Sequence, residues 1–178
     1  MDFLKLVQTR RSCRRYINKP VSREVISRCL EAARLAPSAC NSQPWHFIVV
    51  DSPDMKERLS SKVFTGIYSN SSFAAAAPVI VAVVRERSKY AAKLAGYLRG
   101  VRFSLIDLGI CIEHFVLTAE EAGLGTCWIG WFNEKEVKKL LNIPKNKKID
   151  ILISVGYPEN QKPPVDNRVS LGDMSEFR

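Results

Sequence analysis

Residues 37–50 carry the sequence Pro-Ser-Ala-Cys-Asn-Ser-Gln-Pro-Trp-His-Phe-Ile-Val-Val, in which a polar segment runs directly into a β-rich one. Residues 37–44 are turn-forming and bounded by prolines, so we expect a stiffened connector there. Residues 45–50 are aromatic and β-branched, which predicts a strand. The side-chain amides of Asn41 and Gln43 each combine a donor with an acceptor, which suits the edge of a heteroaromatic ring. The alternative is a plain connector made of turn-forming residues.

Two amphipathic helices are predicted before this block. The second covers residues 22–36, where apolar residues recur at helical spacing until Pro37 stops the helix. The first begins at about residue 2, and its apolar face, continued by threes and fours, leads to Arg10 and Arg14. The two arginines thus extend an apolar stripe, where a buried guanidinium needs an anionic partner.

The rest of the chain alternates between predicted helices and strands. A helix is expected to start at Ser52, and residues 78–84 form an almost continuous β-branched run, typical of a strand buried on both faces. Asn133 opens a capping-box pattern for a later helix. Two further strands are predicted at residues 126–131 and 149–155.

One long helix is predicted over residues 101–122, with apolar residues on nearly every side. Such a helix must be buried all round. In so short a chain, either it occupies the centre of the domain or a second subunit covers its remaining face, and we expect both.

The composition indicates one globular domain over residues 1–178 with 46% hydrophobic residues, which excludes a disordered chain, a disulfide-stapled miniprotein and a repeat array. The formal net charge of +9 favours anionic partners, which include nucleic acid, an acidic membrane surface and a phosphorylated cofactor. Five cysteines without a Cys-x-x-Cys spacing indicate reduced thiols and no zinc site. No export signal is recognised at the N-terminus, so a cytoplasmic location is expected.

Several common sites are excluded by their missing motifs. No Walker loop occurs, and Trp128 stands where a dinucleotide fingerprint needs its third glycine. His46 and His114 are the only histidines, and both fit ordinary positions in a strand and a helix. The uncharged residues 66–84 are too polar at their start to cross a membrane, and Pro78 interrupts their apolar part.

Three clusters can carry chemistry. The first, residues 10–15, places two cations and a hydroxyl at alternate positions, where they can converge on one phosphate; the alternatives are a solvated helix end or a nucleic-acid surface. The second is the amide-bearing connector at residues 37–44. The third, residues 123–130, has glycines that permit close backbone approach to a planar ligand, or simply end a helix before a strand.

Taken together, the three clusters resemble the nitroreductase family. The likeness consists of an Arg-Arg-Ser-x-Arg opening, the Pro-Ser-x-x-Asn-x-Gln-Pro-Trp block, Gly-Leu-Gly-Thr-x-Trp-Ile-Gly, and Val-Gly-Tyr-Pro near the end, and it spans nearly the whole chain. The resemblance implies an α+β fold with a mixed β-sheet surrounded by helices. It also implies an intertwined homodimer with FMN bound at the interface.

Site residues follow from the same resemblance, and all of them serve the cofactor; no metal and no protein nucleophile is implied. Arg10, Arg11 and Ser12 would bind the FMN phosphate, while Arg14 would lie at the pyrimidine edge and stabilise the reduced flavin. A partner chain would supply Pro37, Ser38, Asn41 and Gln43. Backbone amides near flavin N5 would come from Trp128, Ile129 and Gly130, and a late basic residue, Arg168 with Lys162 nearby, would complete the phosphate site. Asn70 is a further candidate for a ring contact.

The implied function is FMN-dependent transfer of electrons from NADH or NADPH to nitroaromatic, quinone or similar small-molecule acceptors, with no nucleic-acid or membrane partner. Other reactions of the same fold remain open: reductive dehalogenation, flavin fragmentation and azoline oxidation. A flavin-storing or flavin-sensing protein without turnover is a further alternative. From another class, a basic nucleic-acid-binding domain would explain the charge but not the amide and glycine clusters.

Overall fold

The structure, a computed structural model, describes residues 2–159 and 168–178. Its helices are α1 Phe3–Thr9, α2 Arg23–Arg34, α3 Pro53–Val63, α4 Tyr90–Arg99, α5 Phe103–Glu121, α6 Glu134–Leu140 and α7 Leu171–Met174. Its strands are β1 Trp45–Val50, β2 Val79–Arg85, β3 Gly125–Ile129 and β4 Lys148–Gly156. Short 3-10 turns cover Ala39–Asn41 and Gly66–Ala76. The predicted α+β class is confirmed.

The four strands form one sheet in the order β1-β2-β4-β3, and every neighbouring pair is antiparallel. The expected mixed character is confined to one parallel bridge, between Ser12 and Thr126, at the β3 edge. The reason is that the segment after α1 adds only a single bridge to that edge and does not form a fifth strand. Edge strand β3 is thereby partly covered.

Strand β2 lies at the centre of the molecule and is buried on both faces, as predicted. Val79, Val81 and Val83 face the core formed with α2 and α5, while Ile80 and Ala82 face the second core, formed with α3 and α6. Period-two alternation of side chains thus divides one continuous apolar run between two helical layers.

Helix α5 is the central helix, but it is not buried all round within one chain. Cys111, Ile112 and Phe115 have no exposed surface, whereas Leu105 is 40% and Ile106 is 51% exposed. The exposed surface lies at the first turns of α5, and the sequence analysis expected a second subunit to cover the face that the single chain leaves open. Coverage of this face by a second copy stays a prediction.

Two helices differ from the sequence analysis. Helix α1 ends at Thr9, and Arg10 already has extended backbone angles, φ −58° and ψ 130°, so the predicted helical stripe through Arg10 and Arg14 is wrong. The chain leaves the helix because it pairs with β3 instead. Helix α4 was not predicted, since the residues it buries, Ala92 and Gly96, are too small to mark a helical apolar face.

The predicted capping box is present: the Asn133 side chain accepts a hydrogen bond from the Glu136 backbone at the start of α6. In the same first turn, Glu134 accepts from the backbone N–H of Ile149 at 3.0 Å and forms ion pairs with Lys138 and Lys148. Burial alone would raise the pKa of Glu134, but these three donors outweigh it and lower the pKa to about 2. The carboxylate therefore ties α6 to the start of β4.

We expect Glu134→Gln to destabilise the protein by about 1–2 kcal/mol at neutral pH. Because the folded-state pKa lies below the ordinary value of 4.5, the stabilisation is complete above that value and is lost as the pH falls towards about 2. Urea unfolding of both proteins at several pH values measures this. A stability difference that stays constant between neutral and acidic pH would contradict the assignment.

Candidate functional site

Residues 10–16 run past the free edge of β3, which Ser12 and Cys13 contact, and end against residues 157–159, which follow β4. The Cys13 backbone N–H donates to the Thr126 carbonyl at 2.7 Å, beside the Ser12–Thr126 bridge. Gly125 is required here, because a Cβ at this position would lie 2.6 Å from the Cys13 Cβ. The first and third sequence clusters are thus brought into direct contact.

Tyr16 anchors the end of this segment in the interior. Its hydroxyl donates to the Cys13 carbonyl at 2.7 Å and lies 2.8 Å from Ser154 Oγ. Burial raises the pKa of Tyr16 far above its ordinary range, so the phenol stays a neutral donor. The segment therefore has both backbone groups of Cys13 satisfied by the fold.

Extended backbone sends alternate side chains to the same side, which places Arg10, Ser12 and Arg14 together. All three side chains lie near the Cys127 thiol of β3. Burial raises the pKa of Cys127, and the nearby Arg14 and Arg10 cations and the Ser12 hydroxyl oppose that shift. The alternation predicted from the sequence is present, although on an extended segment and not on a helix. We call these three residues the basic edge, and we include Arg11, which falls on the other side by alternation but whose charge acts on Glu120 together with that of Arg10.

The basic edge lacks internal neutralisation. Within residues 2–159 and 168–178, no carboxylate forms an ion pair with Arg10, Arg11 or Arg14. Glu120 is the acidic residue near these arginines. Burial raises the pKa of its carboxyl, and the hydrogen bond with Thr9 and the charges of Arg10 and Arg11 offset only part of this rise. Unpaired guanidinium groups beside a hydroxyl suit a phosphate.

A 3-10 segment, Gly66–Ala76, borders the basic edge, and the sequence analysis named Asn70 within it as a candidate ring contact. The guanidinium of Arg14 lies 5.8 Å from the centre of the Phe73 ring. Trp131, directly after β3, donates from Nε1 to the Ile67 carbonyl at 2.7 Å, and its own carbonyl accepts from Ser71 Oγ at 2.8 Å. The sequence contained a signal for this contact, because Trp131 directly follows the glycine cluster at residues 123–130.

The glycine-cluster residues have different environments. Ile129 is buried and Trp128 is half-buried against the α2–α5 core, so their side chains serve packing. Gly130 is exposed at the end of β3, next to the 3-10 segment. The cofactor contacts expected of the Trp128 and Ile129 backbone stay a prediction. Asn70 is exposed on the 3-10 segment.

Residues 37–44, the amide loop, form a separate structure. Its backbone has positive φ at Cys40, Asn41 and Gln43, and the Gln43 backbone donates to Ser38 Oγ at 2.9 Å. Gln43 Nε2 donates to Asn41 Oδ1 at 2.8 Å, which aligns the two amides. Pro37, Asn41 and Gln43 are exposed, and Ser38 is half-buried.

The amide loop is held by a residue that the sequence analysis missed. Asp107 of α5 is 3% exposed, and its Oδ1 accepts from the Ala39 backbone N–H at 2.9 Å. Its second oxygen, Oδ2, has no hydrogen-bond partner among the described residues. The sequence signal for this role was an acidic residue within an otherwise apolar helix. Asp107 is a positioning residue for the loop.

Within one chain, the amide loop and the basic edge are far apart. Asp107 holds the loop near the start of α5, whereas Glu120 adjoins the basic edge near its end, about 20 Å further along the helix axis. The two groups also lie at opposite edges of the sheet, next to β1 and β3. The structure therefore does not assemble them into one site from a single protomer.

The remaining predicted ligand, Arg168, is exposed ahead of α7, while Lys162 lies outside the described residues. Over the part of the chain that the structure describes, no group of histidine, cysteine and acidic residues could hold a metal ion. Nor is any described helix both long and apolar enough to cross a membrane.

The structure is that of an α+β protein, and its basic edge groups cations and a hydroxyl of the kind that suits an anionic ligand. The model of the family described as "Nitroreductase family" matches residues 7–70 and 67–157. The chain belongs to the nitroreductase family, which is a family of oxidoreductases.

Individual relatives agree with this membership. An Archaeoglobus fulgidus protein, provisionally named NADH dehydrogenase/NAD(P)H nitroreductase, is 36% identical over 90% of this chain and 88% of its own length. An iodotyrosine deiodinase from Thermotoga neapolitana is 26% identical over 89% of each chain. The solved structure of an FMN-dependent nitroreductase from Clostridium difficile R20291 has a TM-score of 0.78, with 26% identity and 98% of each chain covered.

We expect Asp107→Ala to free the amide loop, because the Ala39 N–H loses its acceptor, whereas Asp107→Asn keeps an acceptor oxygen. Amide hydrogen exchange measures this directly. Exchange at Ala39 should accelerate about tenfold in the alanine variant and much less in the asparagine variant. Equal protection of Ala39 in wild type and Asp107→Ala would contradict the positioning role.

Proposed function

We propose that this protein is an FMN-dependent NAD(P)H oxidoreductase that reduces nitroaromatics, quinones or similar acceptors. The observation that carries the proposal is the basic edge, where Arg10, Arg11 and Arg14 have no ion-pair partner among the described residues and flank the Ser12 hydroxyl. The names of the relatives, an NAD(P)H nitroreductase and an FMN-dependent nitroreductase, support the donor and the cofactor.

The residues present fit FMN. Arg10 and Ser12 would bind the phosphate through charge-assisted and hydroxyl hydrogen bonds, with Arg11 and Arg168 adding positive charge. The paired amides of Asn41 and Gln43 would meet the polar edge of the ring, beside Ser38 and Pro37. When bound, FMN takes two electrons from NAD(P)H and passes them to the acceptor.

Arg14 would act at the ring. Its guanidinium lies near the Phe73 face, which restricts it to the boundary between the phosphate ligands and the exposed end of β3. A fixed cation there would stabilise negative charge on the pyrimidine edge. The backbone of Trp128, Ile129 and Gly130 would line the other side.

The overall reaction balances without a protein nucleophile. NAD(P)H, one proton and a nitro compound give NAD(P)⁺, the nitroso compound and water, with two electrons transferred. The chain's own residues bind and orient the reactants and stabilise charge. A deiodinase among the relatives makes reductive dehalogenation the second candidate.

A homodimer would complete the site. Asp107 and Glu120 are about 20 Å apart along α5, which supports a site in which the amide loop of one protomer meets the basic edge of the other. Exposed apolar residues near the start of α5, Leu105 and Ile106, supply a surface that association would bury. Association would also cover the exposed first turns of α5.

A nucleic-acid-binding function fits the structure less well. Lys138 and Lys148 form ion pairs with Glu134, and Lys147 forms one with Glu86. These late lysines are therefore largely neutralised on the protein itself and offer little to a phosphate backbone.

The first test compares Arg10→Glu with Arg15→Glu. Arg15 follows the same segment and is exposed, but it lies outside the alternate positions of the basic edge. Arg10→Glu replaces a phosphate ligand by a repelling charge and should weaken FMN affinity about a hundredfold, whereas Arg15→Glu should retain FMN. The measurements are the visible spectrum of the purified proteins and titration with FMN.

Retention of FMN by Arg10→Glu would contradict the phosphate role. Colourless wild-type protein that also refuses added FMN would contradict the cofactor itself. If NADH and NADPH both fail to bleach the bound flavin, the protein stores or senses FMN without turnover.

The shared site predicts complementation between two inactive variants. Asn41→Asp/Gln43→Glu removes the amide donors from the loop, and Arg10→Glu disables the basic edge. In a mixed dimer, one site would carry both defects and the other neither, so co-expression should restore about half of the FMN sites in the heterodimer. No recovery in isolated heterodimers would show that both clusters serve the same chain's site.

A further inference from the structure

A groove of about 1000 Å³ opens between the end of β2 and the hairpin formed by α4 and α5. Its walls are residues 85–88 and parts of the segment 90–104, and we call it the α4 groove. The volume is of the size that holds small organic ligands in proteins. None of the roles assigned above uses it.

The α4 groove adjoins the amide loop. The Glu86 backbone N–H donates to the Pro44 carbonyl at 2.9 Å, and the Lys89 N–H donates to Ser42 Oγ at 3.2 Å. A ligand in the groove therefore lies beside the loop proposed to meet the flavin ring. In the proposed reaction the electron acceptor must come close to that ring, and the groove lies beside the loop that would contact it.

The groove carries a net positive charge. Arg85 pairs with Asp150, and Glu86 pairs with Lys147, so these groove charges are compensated by residues outside it. Arg87, Lys93 and Arg102 line the groove, and among the residues described none of the three has an ion-pair partner. An anionic ligand would supply the missing charge.

Aromatic side chains line the same groove. Tyr90 is 79% and Tyr97 is 84% exposed, which leaves both rings accessible to a planar molecule. Gly96 keeps the hairpin tight, since a Cβ there would lie 2.5 Å from the Val101 carbonyl oxygen. The close hairpin brings Tyr97 on α4 and Arg102 on the α4–α5 turn to one opening.

We propose that the α4 groove selects electron acceptors that combine an aromatic ring with an anionic group such as a carboxylate. Arg87, Lys93 and Arg102 attract the anion, and the tyrosine rings contact the aromatic plane. This inference rests on the proposed function, because it places the acceptor beside the amide loop. It adds a substrate class that the basic edge does not determine.

The test compares para-nitrobenzoate with para-nitrobenzamide, two acceptors of similar shape that differ in charge. Arg87→Gln/Lys93→Gln should raise KM for the nitrobenzoate about tenfold and change KM for the nitrobenzamide less than twofold, with kcat preserved for both. Arg58→Gln/Lys62→Gln on α3 removes the same two charge types from an exposed helix elsewhere and should change neither KM. The difference in KM between the two acceptors should also decrease as the salt concentration rises.

An equal effect on both acceptors, or an unchanged preference, would overturn the proposal. Calorimetric binding of para-nitrobenzoate by FMN-loaded and FMN-free protein separates this inference from the proposed function. If the protein neither holds FMN nor reduces either compound, the proposed function fails, while loss of calorimetric binding in Arg87→Gln/Lys93→Gln still tests the groove. No uptake of nitrobenzoate by wild type, as expected if residues 168–178 of a second copy fill the groove, would overturn it.

Discussion

The hydrogen bond from the Cys13 backbone to the Thr126 carbonyl determines how the basic edge is presented. It holds residues 10–16 extended, and only an extended segment sends alternate side chains to one side. Gly125 lets the segment approach β3 closely, and the buried Tyr16 hydroxyl satisfies the Cys13 carbonyl. The cations are therefore oriented by backbone pairing and a neutral core phenol, while their own side chains remain uncommitted to any carboxylate among the described residues.

Helix α5 imposes the second constraint, because it sets the distance between the two clusters. Asp107 ties the amide loop near one end and Glu120 adjoins the basic edge near the other. A rigid helix about 20 Å long between these points cannot shorten to bring them together. Folding of one chain thus leaves the two clusters apart, and this separation is the physical basis of the proposed association with a second copy.

Most of the elements could be predicted from local sequence. Pro37 stopped α2, the Asn133 cap opened α6, and the β-branched run gave β2, since each of these signals lies within the element itself. The end of α1 could not be predicted, because Arg10 and Arg14 continue the helical period and the competing partner, Thr126, is distant in sequence. Asp107 was missed for the same reason: its acceptor role depends on a loop more than sixty residues earlier. The members of the candidate site were named from motifs, whereas the separation of the two clusters within one chain is set by tertiary packing.

Net charge alone says little about function here, but the pairing of charges says more. Lys138 and Lys148 pair with Glu134, and Lys147 pairs with Glu86, so these three lysines contribute to folding and add little to the external field. Cations without an ion-pair partner among the described residues occur at many places on the surface, and the basic edge and the α4 groove are two of them. These two places differ from the rest in that several such cations lie together, with Glu120 beside the basic edge and Glu86 in the groove as acidic neighbours. A cluster of cations creates a stronger field than a single one, and that field is what an external anion would meet.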